Sequence, residues 1–102
     1  MRNYVGDSIA ANFFRGVESV GGKIYFDETG FTFKSHRFNL QKGETRIDYP
    51  SIILIKRRNT LGIVPNGISV FTEGGFEHKF VINNREEVIE FLTAQMKKYG
   101  KN

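Results

Sequence analysis

The chain has 102 residues, enough for one hydrophobic core and too few for two. With 25% charged residues, 39% apolar residues and a net charge of +4, its composition is that of a globular domain and excludes intrinsic disorder. Cysteine is absent, which excludes disulfides, thiolate metal sites and cysteine nucleophiles.

Along the chain, Gly and Pro punctuate runs of strand length. Ile9 to Glu18 reads as the first strand, although the adjacent Phe13 and Phe14 break its alternation. Gly21-Gly22 reads as a turn. Lys23 to Asp27 then alternates, with Ile24 and Phe26 on one face, and Phe31 and Phe33 alternate with Thr32 and Lys34. Asp27-Glu28-Thr29-Gly30 is expected to join these two as a hairpin, with Gly30 in the left-handed region. Lys42-Gly43 marks another turn. Thr45, Ile47 and Tyr49 oppose Glu44, Arg46 and Asp48, and Pro50 bends the chain.

Ile52 to Ile55 is apolar at every position, which predicts a strand covered on both faces. Pro65-Asn66-Gly67 reads as a turn before a strand from Ile68 to Phe71, and Glu73-Gly74-Gly75 as the next turn. Phe76, His78, Phe80 and Ile82 form one face of the last strand. Beyond Ile82 the period becomes helical. Asn83 or Asn84 is expected to cap a helix through its side-chain oxygen. Glu86 and Glu87 suit the helix N-terminus, and Lys97, Lys98 and Gly100 its C-terminus. Val88, Phe91, Leu92, Met96 and Tyr99 share one face, with Ile89 at its edge.

Seven short strands followed by one helix predict a mostly β domain with antiparallel pairing, curled into a barrel and capped by the C-terminal α-helix. The domain spans 1–102, with a core over about 10–99 and short tails. No leader pattern or long apolar run is present, so the cytoplasm is the default compartment.

Chemistry finds little support. His36 lies in a polar stretch, and His78 between Phe76 and Phe80 reads as a packed residue with one satisfied nitrogen. No paired-histidine zinc motif exists. The stretch Val17 to Ile24 fails as a phosphate loop. Its first Gly and its Ser or Thr are missing, and a strand follows where a helix is needed. Asp27 and Glu28 sit at an exposed turn tip, where nothing raises a carboxylate pKa. No catalytic residue, metal or cofactor is therefore expected.

Charge is unevenly placed. Lys34, Arg37, Lys42, Arg46, Lys56, Arg57 and Arg58 face only Glu44 and Asp48 within their own stretch. Such clustering attracts anionic partners or simply solvates one face. Lys34, Arg37, Lys42, Lys56, Arg57 and Arg58 are the candidate ligands for an anionic partner, provided they converge.

From Gly16 to about Leu92 the sequence resembles the GRAM domain family. The match lies in Gly22-Lys23-Ile24-Tyr25-Phe26 with Gly30-Phe31-Thr32-Phe33, and in the run from Arg46 to Lys56. It continues in Gly67 to Thr72, Phe76 to Ile82 and Asn84 to Leu92. The resemblance implies a pleckstrin-homology-like fold, a partly open seven-stranded barrel plugged by a helix, and a non-enzymatic module. It also implies protein contacts or membrane targeting through phosphoinositides.

The expected function is accordingly a protein or peptide interaction module, with Phe13, Phe14 and Tyr25 as candidate surface rings. The alternative is a peripheral module for anionic lipid. Nucleic acid is disfavoured, because alternation sends Phe26, Phe31 and Phe33 to the core face, where no base can stack.

Overall fold

The computed structural model describes residues 1–39 and 42–99, leaving aside the side chains of residues 38, 39, 42 and 43. Seven strands precede one helix: β1 (Ser8–Arg15), β2 (Glu18–Phe26), β3 (Gly30–Asn39), β4 (Lys42–Asp48), β5 (Ile52–Thr60), β6 (Val64–Thr72), β7 (Phe76–Ile82) and α1 (Arg85–Lys98). They form one antiparallel sheet in the order β4-β3-β2-β1-β7-β6-β5. β1 is central, between β2 and β7. The end strands β4 and β5 do not pair, so the sheet curls into a half-barrel that stays open between them. A 3₁₀ turn at Tyr49–Ser51, with Pro50 in its first turn, carries the chain across that opening.

The inner face holds the aromatic core. Phe13 stacks on Phe80 with ring centroids 4.9 Å apart and meets Phe33 at 5.3 Å. Ile24, Phe26, Phe31, Phe33 and Ile47 are buried, as strand alternation predicts. The helix plugs the opening with Val88, Ile89, Phe91 and Leu92. Phe91 lies edge-on to Phe26 at 5.5 Å, a favoured arrangement for two rings.

Polar contacts pin the helix at both ends. Arg85 Nη1 donates to the carbonyl of Arg58 at 2.8 Å and to Asn59 Oδ1 at 3.0 Å. At the other end, the Tyr99 hydroxyl donates to the carbonyl of Glu28 at 2.7 Å.

Several expectations need correction. The first predicted strand is two: Gly16, at φ +61°, occupies the first turn position between Arg15 and Glu18, where a two-residue hairpin accepts glycine best. Gly21-Gly22 is no turn but the middle of β2. A Cβ on Gly22 would stand 2.1 Å from the carbonyl oxygen of Lys34, so this glycine permits close approach of β3. Gly30 is not left-handed; it opens β3, and a Cβ there would lie 2.3 Å from the carbonyl of Ile47. The β2–β3 turn is built instead by Asp27, whose Oδ1 accepts from the backbone N–H groups of Thr29 and Gly30 at 2.9 and 3.0 Å.

Pro65-Asn66-Gly67 lies inside β6, and the chain turns earlier, at Leu61-Gly62-Ile63. Asn84 caps α1 at φ +55° without a side-chain hydrogen bond. Phe76 is exposed, so the buried face of β7 runs from a half-buried His78 to Ile82. Lys42 and Gly43 begin β4, while residues 40, 41 and 100 lie outside the described residues. The core also starts earlier than about residue 10. Tyr4 is buried against Phe26 and Phe91, and its hydroxyl donates to Glu87 at 2.7 Å.

Candidate interaction surfaces

The predicted cations fall into two groups. Lys34 and Arg37 are on β3, and Lys56, Arg57 and Arg58 are on β5, separated along the sheet by β2, β1, β7 and β6. The backbone of Lys42 opens β4, and its side chain is outside the described residues. Lys34 stands in register with Lys23 and Glu44, its ammonium 5.4 Å from the ring centroid of Tyr25. Arg57 is held bidentately by Glu86 of α1 at 2.7 and 2.6 Å. Arg58 reaches Glu77 at 3.5 Å, and Glu77 also accepts from the buried Ser69 at 2.6 Å. The Ser69 hydrogen bond, more than the neighbouring Lys79, Arg58 and Lys56, holds the Glu77 carboxyl below its usual range. Arg57 and Arg58, two of the candidate ligands for an anionic partner, are thus already engaged with carboxylates.

The proposed surface rings also divide. Phe13 is core, Phe14 is half-buried, and Tyr25 is exposed on the outer face of β2. Phe26, Phe31 and Phe33 are all buried.

The two sheet edges differ in chemistry. β4 is guarded by ions. Arg46 donates to Asp48 at 2.9 Å, to Asp27 Oδ1 at 3.1 Å and to Thr29 Oγ1 at 2.7 Å. Arg46 holds the Asp27 carboxyl well below the usual carboxylate range, and the backbone and side chain of Thr29 add to this. β5 presents Ile53 and Leu54, 55% and 48% exposed, instead of the two-sided burial predicted for Ile52 to Ile55. Only Ile52 of that run is buried. The cause is position: β5 has β6 on one side and no strand on the other, and its register slips between Ile52 and Leu54. An open cleft of about 450 Å³ lies beside this edge, lined by Arg57 and by Glu86, Glu87, Ile89 and Glu90 of α1.

A second surface lies at the hairpin tips. Gly16 and Val17 of the β1–β2 turn and Leu61 of the β5–β6 turn border one open groove of about 440 Å³, together with Phe14, Arg58, Lys79 and Val81. Val17 is fully exposed, Leu61 is 89% and Ile63 79% exposed. Leu61 sits at φ +55° and Gly62 at φ +72°. Sequence reading passed over both turns. Gly16 and Gly62 were the available signals, each a lone glycine between strand-like runs.

The remaining polar groups serve the fold. His78 Nε2 lies 3.1 Å from Thr72 Oγ1, and burial lowers the imidazole pKa. Tyr49 donates its hydroxyl to the carbonyl of Asp27 at 2.8 Å, and burial raises its pKa. Among the described residues no group of His, Asp and Glu is arranged to hold a metal ion. No described helix is long and apolar enough to cross a membrane.

No family model matches the chain, and no curated protein does. The C-terminal domain of an unknown protein from Leishmania infantum, solved by crystallography, is similar in structure. Its TM-score is 0.72 at 19% identity, over 93% of this chain and 83% of that one. At that identity the likeness shows the fold alone: a seven-stranded antiparallel half-barrel closed by one helix.

Proposed function

We propose that the chain is a non-enzymatic binding module of the GRAM kind, in which β5 takes an extended segment of a partner protein as an added strand. One observation carries this reading. Ile53 and Leu54 are exposed on an end strand whose outer side has no strand, next to a cleft against α1. An exposed apolar edge is a hazard that proteins ordinarily blunt with charge, as this one does at β4. An edge left apolar is suited to backbone pairing, with side chains at Ile53 and Leu54 supplying selectivity. The element order, seven strands and a closing helix, is also what the GRAM resemblance implies.

Selection from a random-peptide display library, followed by an amide chemical-shift titration with the enriched peptide, tests the proposal. The expected result is shift changes along β5 and the facing side of α1. Binding should be lost in an Ile53→Lys, Leu54→Lys double variant and retained in Glu44→Lys on the opposite edge. Shift changes confined to other strands, or equal binding by the double variant, would reject it.

A further inference from the structure

We infer that the outer face of the half-barrel binds single-stranded nucleic acid along a trough that crosses the sheet. Strand alternation turns Phe13, Ile24, Phe33, Ile68 and Phe80 into the core, so their sequence neighbours face outward. Register then lays Arg58, Gly67, Val81 and Asn12 side by side across β5, β6, β7 and β1, followed by Gly21 of β2. The ring of His36 on β3 closes the row, 3.4 Å from where Gly21 would carry a Cβ. Between Arg58 and His36 the row holds only Gly, Val and Asn, whereas sheet surfaces ordinarily carry branched or aromatic side chains throughout. Steps of about 4.8 Å between strands make the row about 24 Å long, room for about four nucleotides. Its floor at Gly67 and Val81 belongs to the groove of about 440 Å³, which Arg58, Lys79 and Phe14 also line.

Long cations flank the row on both sides. Lys56 and Lys79 stand on either side of the buried Ser69, level with Phe14. On the other flank Lys23 and Lys34 lie directly opposite each other, with Ala10 beyond Lys23 and Glu44 beyond Lys34. Like charges opposed across two strands destabilise a sheet, and an anion lying over both relieves that cost. The pairing is an independent sign of use outside the fold. Beside Lys79, the Glu77 carboxylate is occupied by Ser69 and Arg58. A line of separated cations matches a chain of phosphates better than a single phosphate group. Rings complete the match. Phe26, Phe31 and Phe33 are buried inside, but Phe14 lies half-open beside Lys79, and Tyr25 is 43% exposed with the Lys34 ammonium 5.4 Å from its ring centroid. Bases can stack on these two outer rings while the lysines hold the phosphates. A bilayer is a poorer match, because Val81 is the apolar side chain of the row and it is half-buried.

The experiment is fluorescence anisotropy with labelled oligouridylate and oligothymidylate of about twelve nucleotides. Binding is expected to weaken with salt, its logarithm falling by about 0.7 per decade of salt for each phosphate held. Lys79→Gln should make that slope shallower by about 0.7. Tyr25→Ala should weaken binding roughly tenfold and leave the slope alone, the effect of losing one stacked base. Lys23→Glu should weaken binding and raise Tm, because it turns a like-charge pair into an opposite one; the rise shows that the loss is not unfolding. Ile53 and Leu54 lie off the row, so peptide binding at β5 and oligonucleotide binding are read independently. Failure of both oligonucleotides to bind, tighter binding of a duplex of the same length, or Tyr25→Ala and Lys79→Gln variants that behave as the parent would overturn the inference. So would full release by inorganic polyphosphate at equal phosphate, which would mean a strip of charge without stacking, or by phosphatidylglycerol vesicles, which would mean a membrane face.

Discussion

Leu61→Asn should make this protein more stable while removing an apolar side chain. A left-handed residue bearing a Cβ costs about 1–2 kcal/mol, and Asn recovers much of that through its tolerance of this region. Leu61 is 89% exposed, so its side chain contributes almost no burial to be lost. The net expectation is a gain of about 1 kcal/mol, or a rise in Tm of about 4–8 °C for a domain of this size. Thermal unfolding followed by circular dichroism reads this directly. Two controls separate strain from side-chain loss. Leu61→Ala keeps a Cβ in the same conformation and should leave Tm nearly unchanged. Ile63→Asn alters a tip residue outside the left-handed region and should bring no gain. An unchanged or lower Tm in Leu61→Asn would refute the claim that the turn holds strain.

Gly22→Ala should cost about 3 kcal/mol or more, because a methyl 2.1 Å from the Lys34 carbonyl forces β2 and β3 apart; chemical denaturation measures it, and a near-neutral result would show that the strands separate freely. Asp27→Ala should cost about 1–2 kcal/mol through loss of the turn bonds and an exposed ion pair. Because Arg46 lowers the Asp27 pKa in the folded state, the carboxylate's contribution is complete above the unfolded value of about 4 and fades as pH falls below it. Urea titrations at descending pH should therefore show the variant and the parent converging. The His78 pKa is lowered by burial, so the unfolded chain binds the extra proton. Stability should rise with pH up to about 6.5 and then level, and His78→Gln should flatten that slope in the same titrations.

The features legible in the sequence are those set by short-range period. Ile24, Phe26, Phe31 and Phe33 alternate and are all buried, and Val88, Phe91 and Leu92 recur at helical spacing and plug the barrel. Seven strands and a closing helix follow from such patterns and their breaks. What depends on neighbours distant in sequence was hidden. A glycine announces a missing side chain, not whether a turn or an adjacent strand requires its absence, so Gly22 and Gly30 read as turns. Ile53 and Leu54 read as doubly covered because an apolar run does not reveal which strand will lie at the end of the sheet. The cations failed to gather for the same reason: closeness in sequence put Lys34 and Arg58 in one cluster, while strand order set β3 and β5 apart. Tyr4 stood in a stretch without periodicity, and only its contacts with Phe26 and Phe91 reveal its role.

The place of β1 between β2 and β7 governs how the molecule is born. A chain emerging from the ribosome can zip β1 through β4 in sequence as a meander, yet one flank of β1 waits for a strand that starts at Phe76. Until then the ring of Phe13 lacks Phe80, and an apolar flank lies open to other nascent chains. Closure between distant segments is slow, so the half-finished meander is the species on which holding chaperones would act, and the arrival of β7 ends that exposure.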